Sequence, residues 1–225
     1  MKKRTAFIGA ILCLIPIGQP LLIKTGVVLS SSAVMLSLPK KVNAESAKFY
    51  FDRAYSKGEK GDYYGAISDY TKAIEIYPYF ALAYFNRAAS KERINDPKGA
   101  LDDYSRALEI EPNDYASYQG VGWAKNVLGD YSGAIIAFNK SIEINPNNAA
   151  AYVGRSMSKG NLKDFYGAIS DCNKAIKINP EFSIAYANRG IAKKQIGDMK
   201  GACVDWRKAS SLGDESAAKW VSNQC

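Results

Sequence analysis

The side chains with most chemistry to offer are arginines, aspartates, lysines and four cysteines, and the 225 residues contain no histidine. Without imidazole, Ser-His-Asp and Cys-His nucleophilic chemistry, His-ligated zinc and a histidine pH switch all drop out. Carboxylate or lysine catalysis needs a site. The sequence holds no glycine-rich phosphate loop, no metal-ligand cluster and no nucleophile beside a base. No catalytic residue, metal or cofactor is therefore expected. The charged residues pair instead. Arg53, Arg87, Arg155 and Arg189 recur at one register, and Asp69, Asp103, Asp171 and Asp205 recur at another. Where a third member of each set would fall stand Val121 and Ala137. Both partners are present or both absent, which predicts structural Arg–Asp ion pairs. Such a pair is often neutral for net stability, yet losing one partner of a buried pair costs about 3–5 kcal/mol.

The elements that must hold these pairs follow from periodicity. Pro78, Pro112, Pro146 and Pro180 are 34 residues apart, as are Ala66, Ala100, Ala134, Ala168 and Ala202, and Tyr50, Tyr84, Tyr118, Tyr152 and Tyr186. Five units result: 47–80, 81–114, 115–148, 149–182 and 183–216. Each reads as two helices. In the second unit the first helix runs from Ala81 to about Arg93. Asp96-Pro97 then supplies an N-cap followed by a proline in the first turn, and the second helix stops before Pro112. Asp62, Asp130, Asp164 and Asp198 repeat the cap. Small residues (Ala54, Ala88, Gly122, Ser156, Gly190) let paired helices approach, and Tyr70, Tyr104, Phe138, Cys172 and Trp206 fill the volume beside them. Cys172 is expected to be a buried free thiol.

A 34-residue helix–turn–helix with these small, aromatic and proline positions resembles the tetratricopeptide repeat. The resemblance covers 47–216 and implies an all-α, alpha-alpha superhelix, right-handed, whose first helices line a concave groove. Carrying the family's groove positions across gives Phe51, Tyr55, Leu82, Phe85, Asn86, Gln119, Trp123, Val153, Met157, Asn188 and Ile191. Chaperone-binding members grip a terminal carboxylate with Lys, Asn and Arg. Here Phe51, Tyr55, Asn86, Ala116 and Gly120 stand at those places, so the clamp is missing and the implied client offers an apolar segment. Gly58, Gly120, Gly154 and Gly160 are expected to leave room for its backbone. The family's tyrosine late in the first helix is replaced by Lys57, Lys91, Lys125, Lys159 and Lys193. These form either a basic ladder for an acidic client or stems packed on apolar surface with their ammonium groups in water. The second reading is the simpler. The groove residues could also serve only to pack neighbouring repeats, or the segment before Ala47 could fold into the groove.

The two ends differ from the repeats. Lys2-Lys3-Arg4 precedes an apolar stretch from Ala6 to Ile23, and Val42-Asn43-Ala44 fits a signal cleavage site. Residues 1–44 therefore read as a signal peptide or an N-terminal membrane anchor, with a tetratricopeptide domain over 45–225. Lipid attachment at Cys13 is disfavoured, because Leu12 before it is not small. A mature terminus at Glu45 would mean export to a periplasm or equivalent lumen; one at Met1 would mean anchoring. These 44 residues hold six basic side chains and no acidic one, so the rest, with 24 basic and 22 acidic, carries only +2 of the total +8. That balance gives little drive for nucleic acid. At the other end, Gly213-Asp214 starts a capping helix over 215–224, with Ala218 and Val221 facing back and Trp220 as anchor. If the chain turns at Gly213, Cys203 and Cys225 come nearly level and form either a disulfide or two free thiols. The closing segment is similar to the ends of exported repeat proteins of photosynthetic bacteria. The function expected is a non-enzymatic scaffold or assembly factor with a protein or peptide partner. The alternatives are a membrane-anchored organiser of a membrane complex and an accessory subunit of an enzyme.

Overall fold

The computed structural model describes residues 44–225; the expected signal or anchor, and Cys13, lie outside the described residues. Helices follow one another in five pairs and a single: α1 (Ala44–Glu59) with α2 (Tyr63–Ile76), α3 (Ala81–Arg93) with α4 (Pro97–Ile110), α5 (Tyr115–Val127) with α6 (Tyr131–Ile144), α7 (Ala149–Asn161) with α8 (Phe165–Ile178), α9 (Ser183–Gln195) with α10 (Met199–Ser211), and then α11 (Glu215–Gln224). The described residues form no strand, and the fold is an all-α repeat superhelix closed by a terminal helix.

Local chemistry sets the helix ends. Asp62, Asp96, Asp130, Asp164 and Asp198 cap the second helices, each accepting the backbone N–H of the glycine three residues on, from Gly65 to Gly201, at 2.8–2.9 Å. A side chain on those glycines would run into the capping carboxylate. The turn before each cap needs a left-handed residue, and Gly61, Asn95, Gly129, Lys163 and Gly197 all take φ of 62–86° there. The prolines follow one residue after the second helices' C-caps, where their rings block any continuation.

Packing follows the small and large ladders. Ala66, Ala100, Ala134, Ala168 and Ala202 are buried, as are Tyr70, Tyr104, Phe138, Cys172 and Trp206. Volumes compensate across the helix pair. Gly122 lies under Phe138 and Gly190 under Trp206, whereas the smaller Cys172 faces Ser156 and its thiol donates to Ser156 Oγ at 3.3 Å. Burial pushes the free Cys172 thiol up to about 11, so it stays protonated and inert. Two of the glycines expected to make room for a client do something else. Gly120 is pressed against Tyr104 and Gly154 against Phe138, so both admit core aromatics.

The first helix of each pair touches the first helix of the next (α1–α3, α3–α5, α5–α7, α7–α9), which gathers these helices on one face. At the carboxyl end Ala217, not Ala218, turns into the core. Ala217 is fully buried with Val221 and Trp220 beside Trp206 and Ala209, while Ala218 is exposed. Asp214 caps α11 through the Ala217 N–H at 2.8 Å, which sets the helix rotation and hence the register. The Trp206 and Trp220 rings are 5.5 Å apart. The turn at Gly213 (φ 92°) brings Cys203 and Cys225 together, their Cα atoms 5.7 Å apart and their sulfurs at bonding distance.

Candidate partner-binding groove

The repeating charges are placed first, because they decide which charge remains for a partner. Arg53, Arg87, Arg155 and Arg189 each donate through Nε and Nη2 to both carboxylate oxygens of Asp69, Asp103, Asp171 and Asp205, at 2.6–2.9 Å. The arginines also reach back one unit. The Nη1 of Arg87, Arg155 and Arg189 donates to Thr71, Asn139 and Asn173, and each guanidinium lies 5.4–5.5 Å from the ring of the tyrosine three residues before it, Tyr84, Tyr152 or Tyr186. Each arginine therefore ties its own helix pair together, and Arg87, Arg155 and Arg189 also staple theirs to the preceding unit.

The lysine ladder differs from its sequence reading. Lys57, Lys91, Lys159 and Lys193 do not end in water; each is a second cation on the same aspartate, at 2.8–2.9 Å. A buried carboxylate with four acceptor sites takes both the fork and the ammonium. In the third unit Val121 and Ala137 replace the pair, and Lys125 bonds the cap Asp130 at 2.9 Å. Arg53, with Lys57 behind it, holds the Asp69 carboxyl down to about 2. None of the five lysines is free to form a basic surface for an acidic client.

The predicted groove residues divide into packed and open sets. Val153 belongs to the core: it is 1% exposed and packs against Ala175, Ala185 and Trp123. Trp123 is half-buried, edge-on to Phe138 at 5.5 Å, and bridges two core clusters. Gln119 accepts from Asn148 Nδ2 at 2.7 Å, a bond from α5 to the residue that caps α7. The middle of the groove is thus taken up by packing between repeats. Phe51 stacks on Phe80 at 4.9 Å and Phe85 leans on Tyr104 at 5.4 Å, each keeping an open edge. Tyr55, Leu82, Met157 and Ile191 are exposed.

Two of the hollows that the open residues line are built alike. Between α7 and α9 a hollow of about 310 Å³ is lined by Met157, Gly160, Asn161, Phe165, Asn188 and Ile191, among others. Asn188 Nδ2 is buried there and, among the described residues, is the buried side-chain atom left without a hydrogen-bond partner. An unpaired buried amide donor costs about 1–3 kcal/mol. The same repeat position, three units earlier, forms a hollow between α1 and α3 lined by Tyr55, Gly58, Glu59, Tyr63, Asn86 and Glu92. It shares Tyr55 and Asn86 with a neighbouring apolar hollow bounded by Phe51 and Leu82. Gly58 and Gly160 occupy matching places; a Cβ would meet nothing within 4 Å at Gly160 and only the Ala66 methyl at 4.0 Å at Gly58, so these two glycines do leave room. Sequence reading missed Asn161, Phe165, Glu59, Tyr63 and Glu92. The signal was present, since Tyr63 and Phe165 share one repeat position and Glu59 and Asn161 another.

No described helix is long and apolar enough to cross a membrane, and no group of three or more Cys, Asp or Glu among the described residues could hold a metal. The helical pairs and their concave layer define a repeat scaffold of the kind that binds other proteins. The sequence model for the tetratricopeptide repeat matches residues 47–80, 115–148 and 149–182. The chain is a tetratricopeptide-repeat protein. Among solved structures it is similar to MamA (26% identity over 78% of this chain and 96% of that one, TM-score 0.67). It shares its fold with YrrB, a tetratricopeptide protein with an unusual peptide-binding site (21%, 80% and 93%, TM-score 0.64). It also shares it with PilW, a type IV pilus biogenesis factor (18%, 79% and 86%, TM-score 0.70). No curated protein matches by sequence.

Proposed function

We propose that this protein is a non-enzymatic scaffold or assembly factor that holds an apolar segment of a partner protein in its concave groove. The observation that carries this reading is the hollow between α7 and α9, where apolar Met157, Ile191 and Phe165 surround the unpaired Asn188 Nδ2. An apolar side chain entering the hollow would bury area, and a backbone carbonyl beside it would satisfy the amide. The peptide-binding site of YrrB and the part of PilW in type IV pilus biogenesis support the same class of function. The test is a photo-crosslinking residue at Met157, which is 37% exposed, in the cell of origin. One recurrent adduct, lost on Asn188→Leu, is the expected result. Adducts only within the chain itself would mean the hollow serves packing.

The compartment we propose is outside the cytoplasm, on the basic-then-apolar composition of residues 1–44, with retention of that segment giving a membrane-anchored form. In such a compartment Cys203 and Cys225 are oxidised to a disulfide. Closing a loop of 22 residues contributes about 3 kcal/mol. Dithiothreitol should therefore shift the urea midpoint of the wild type downward and leave Cys225→Ser unmoved. Identical wild-type melts with and without reductant would mean two free thiols.

A further inference from the structure

The two hollows are one site of the repeat built twice, three units apart, in different chemistry. At the α7–α9 copy the lining is neutral, with Asn161 and Gln195 at positions that hold Glu59 and Arg93 in the α1–α3 copy. At the α1–α3 copy two carboxylates, Glu59 and Glu92, face a hollow walled by Tyr55, Tyr63 and Tyr70. Among the described residues neither carboxylate has a lysine or arginine within 4.0 Å. Of the cations nearby, Lys57 and Lys91 are engaged elsewhere, on Asp69 and Asp103, while Arg93 lines the hollow itself, donating to Tyr63 Oη at 3.2 Å and lying over its ring, so two carboxylates there face one guanidinium. Beside this hollow runs the apolar floor of Phe51 and Leu82, whose acid, Asp52, is already paired with Lys48 at 2.6 Å.

Resting on the groove reading above, we propose that the α1–α3 end docks a lysine or arginine of the partner segment, whose apolar neighbours lie along Phe51 and Leu82. Tyrosine rings and carboxylates around one hollow are complementary to an organic cation on an apolar stem. Burial holds the Glu92 carboxyl above its usual range, and the Tyr104 hydroxyl that donates to it at 3.2 Å only partly offsets this. A bound cation would complete that compensation. The sign of the partner is thus opposite to the one a basic lysine ladder would select. The two hollows would read a segment in order, a basic side chain at one end and an apolar one at the other.

The test uses n-butylammonium as a stand-in for the lysine side chain and n-butanol as its uncharged match, titrated into the full chain and followed through the Gly58 and Ser90 backbone amides by NMR. Saturable shifts are expected for the ammonium at about 5-fold lower concentration than for the alcohol, the ratio that about 1 kcal/mol of cation–aromatic and charge attraction gives. The preference should vanish in Glu59→Gln/Glu92→Gln. Those changes keep the side-chain shape, and unchanged far-ultraviolet circular dichroism verifies the fold. Equal response to both probes, no response at Gly58 and Ser90, or an ammonium preference that survives the double change would each overturn the proposal. Failure here beside a recurrent Met157 adduct leaves the groove reading standing. Ammonium binding without any Met157 partner sinks the groove reading and keeps the cation site.

Discussion

Replacing Asp103 with alanine should destabilise the protein by about 3–5 kcal/mol, whereas Arg87→Val combined with Asp103→Ala should cost much less. The Asp103 side chain is 5% exposed and that of Arg87 15%. Removing the carboxylate strands a guanidinium that has left water, together with the Lys91 ammonium that shared the acid. The double change gives the second unit the residues that the third unit already has, Val121 and Ala137. It also leaves Lys91 a new partner. Lys125 bonds Asp130 five residues on, and Asp96 stands five residues after Lys91. Urea unfolding of the wild type, the single and the double variant checks this. Equal losses in the two variants would show that the ion pair itself, not the stranded charge, carries the energy.

Phe138→Ala should cost about 3–5 kcal/mol, concentrated at the joint between the third and fourth units. Phe138 is fully buried, lies between Gly122 of α5 and Gly154 of α7, and meets Trp123 edge-on. Glycines flank it on both sides, so Gly122 and Gly154 offer no side chain to fill the cavity. That places the loss toward the upper end of the range, and Trp123 loses its support as well. Because stability in a repeat array is a sum of unit and interface terms, amide exchange should quicken most in α5, α6 and α7. Uniform quickening from α1 to α11 would instead mean that the array unfolds as one unit and that the joint has no separate stability.

Periodicity carried most of the fold. A 34-residue interval in proline, alanine and tyrosine was enough to place helix pairs, because each class answers a local rule: proline ends a helix, aspartate caps one, and a small residue permits a close crossing. The Arg–Asp register was legible for the same reason, since joint loss at Val121 and Ala137 is visible without coordinates. The terminal helix was legible too, with Val221 and Trp220 packed as read and only Ala218 standing one residue off from the buried Ala217, because the Asp214 cap that sets the rotation is a local geometric choice. The open groove positions Tyr55, Leu82, Asn86, Met157, Asn188 and Ile191 were named by carrying the groove positions of the tetratricopeptide family onto the register of this chain.

Tertiary structure decided the rest. Register says which residues share a position and is silent on which of two candidate partners a flexible side chain selects. Lysine stems long enough to reach water also reach a buried carboxylate, and only the packed distance between helices shows that Lys57, Lys91, Lys159 and Lys193 take the carboxylate. Trp123 and Val153 occupy groove register, yet they are drawn into the core because Phe138 and Ala175, on neighbouring helices, leave volume for them. Gly120 and Gly154 likewise face aromatics that no local rule connects to them. The sequence by itself determined the repeat, its caps and its paired charges, all set within one unit. The contacts between units determined where the groove is open, and the packing of the two helices within each unit determined which charges were left to face it.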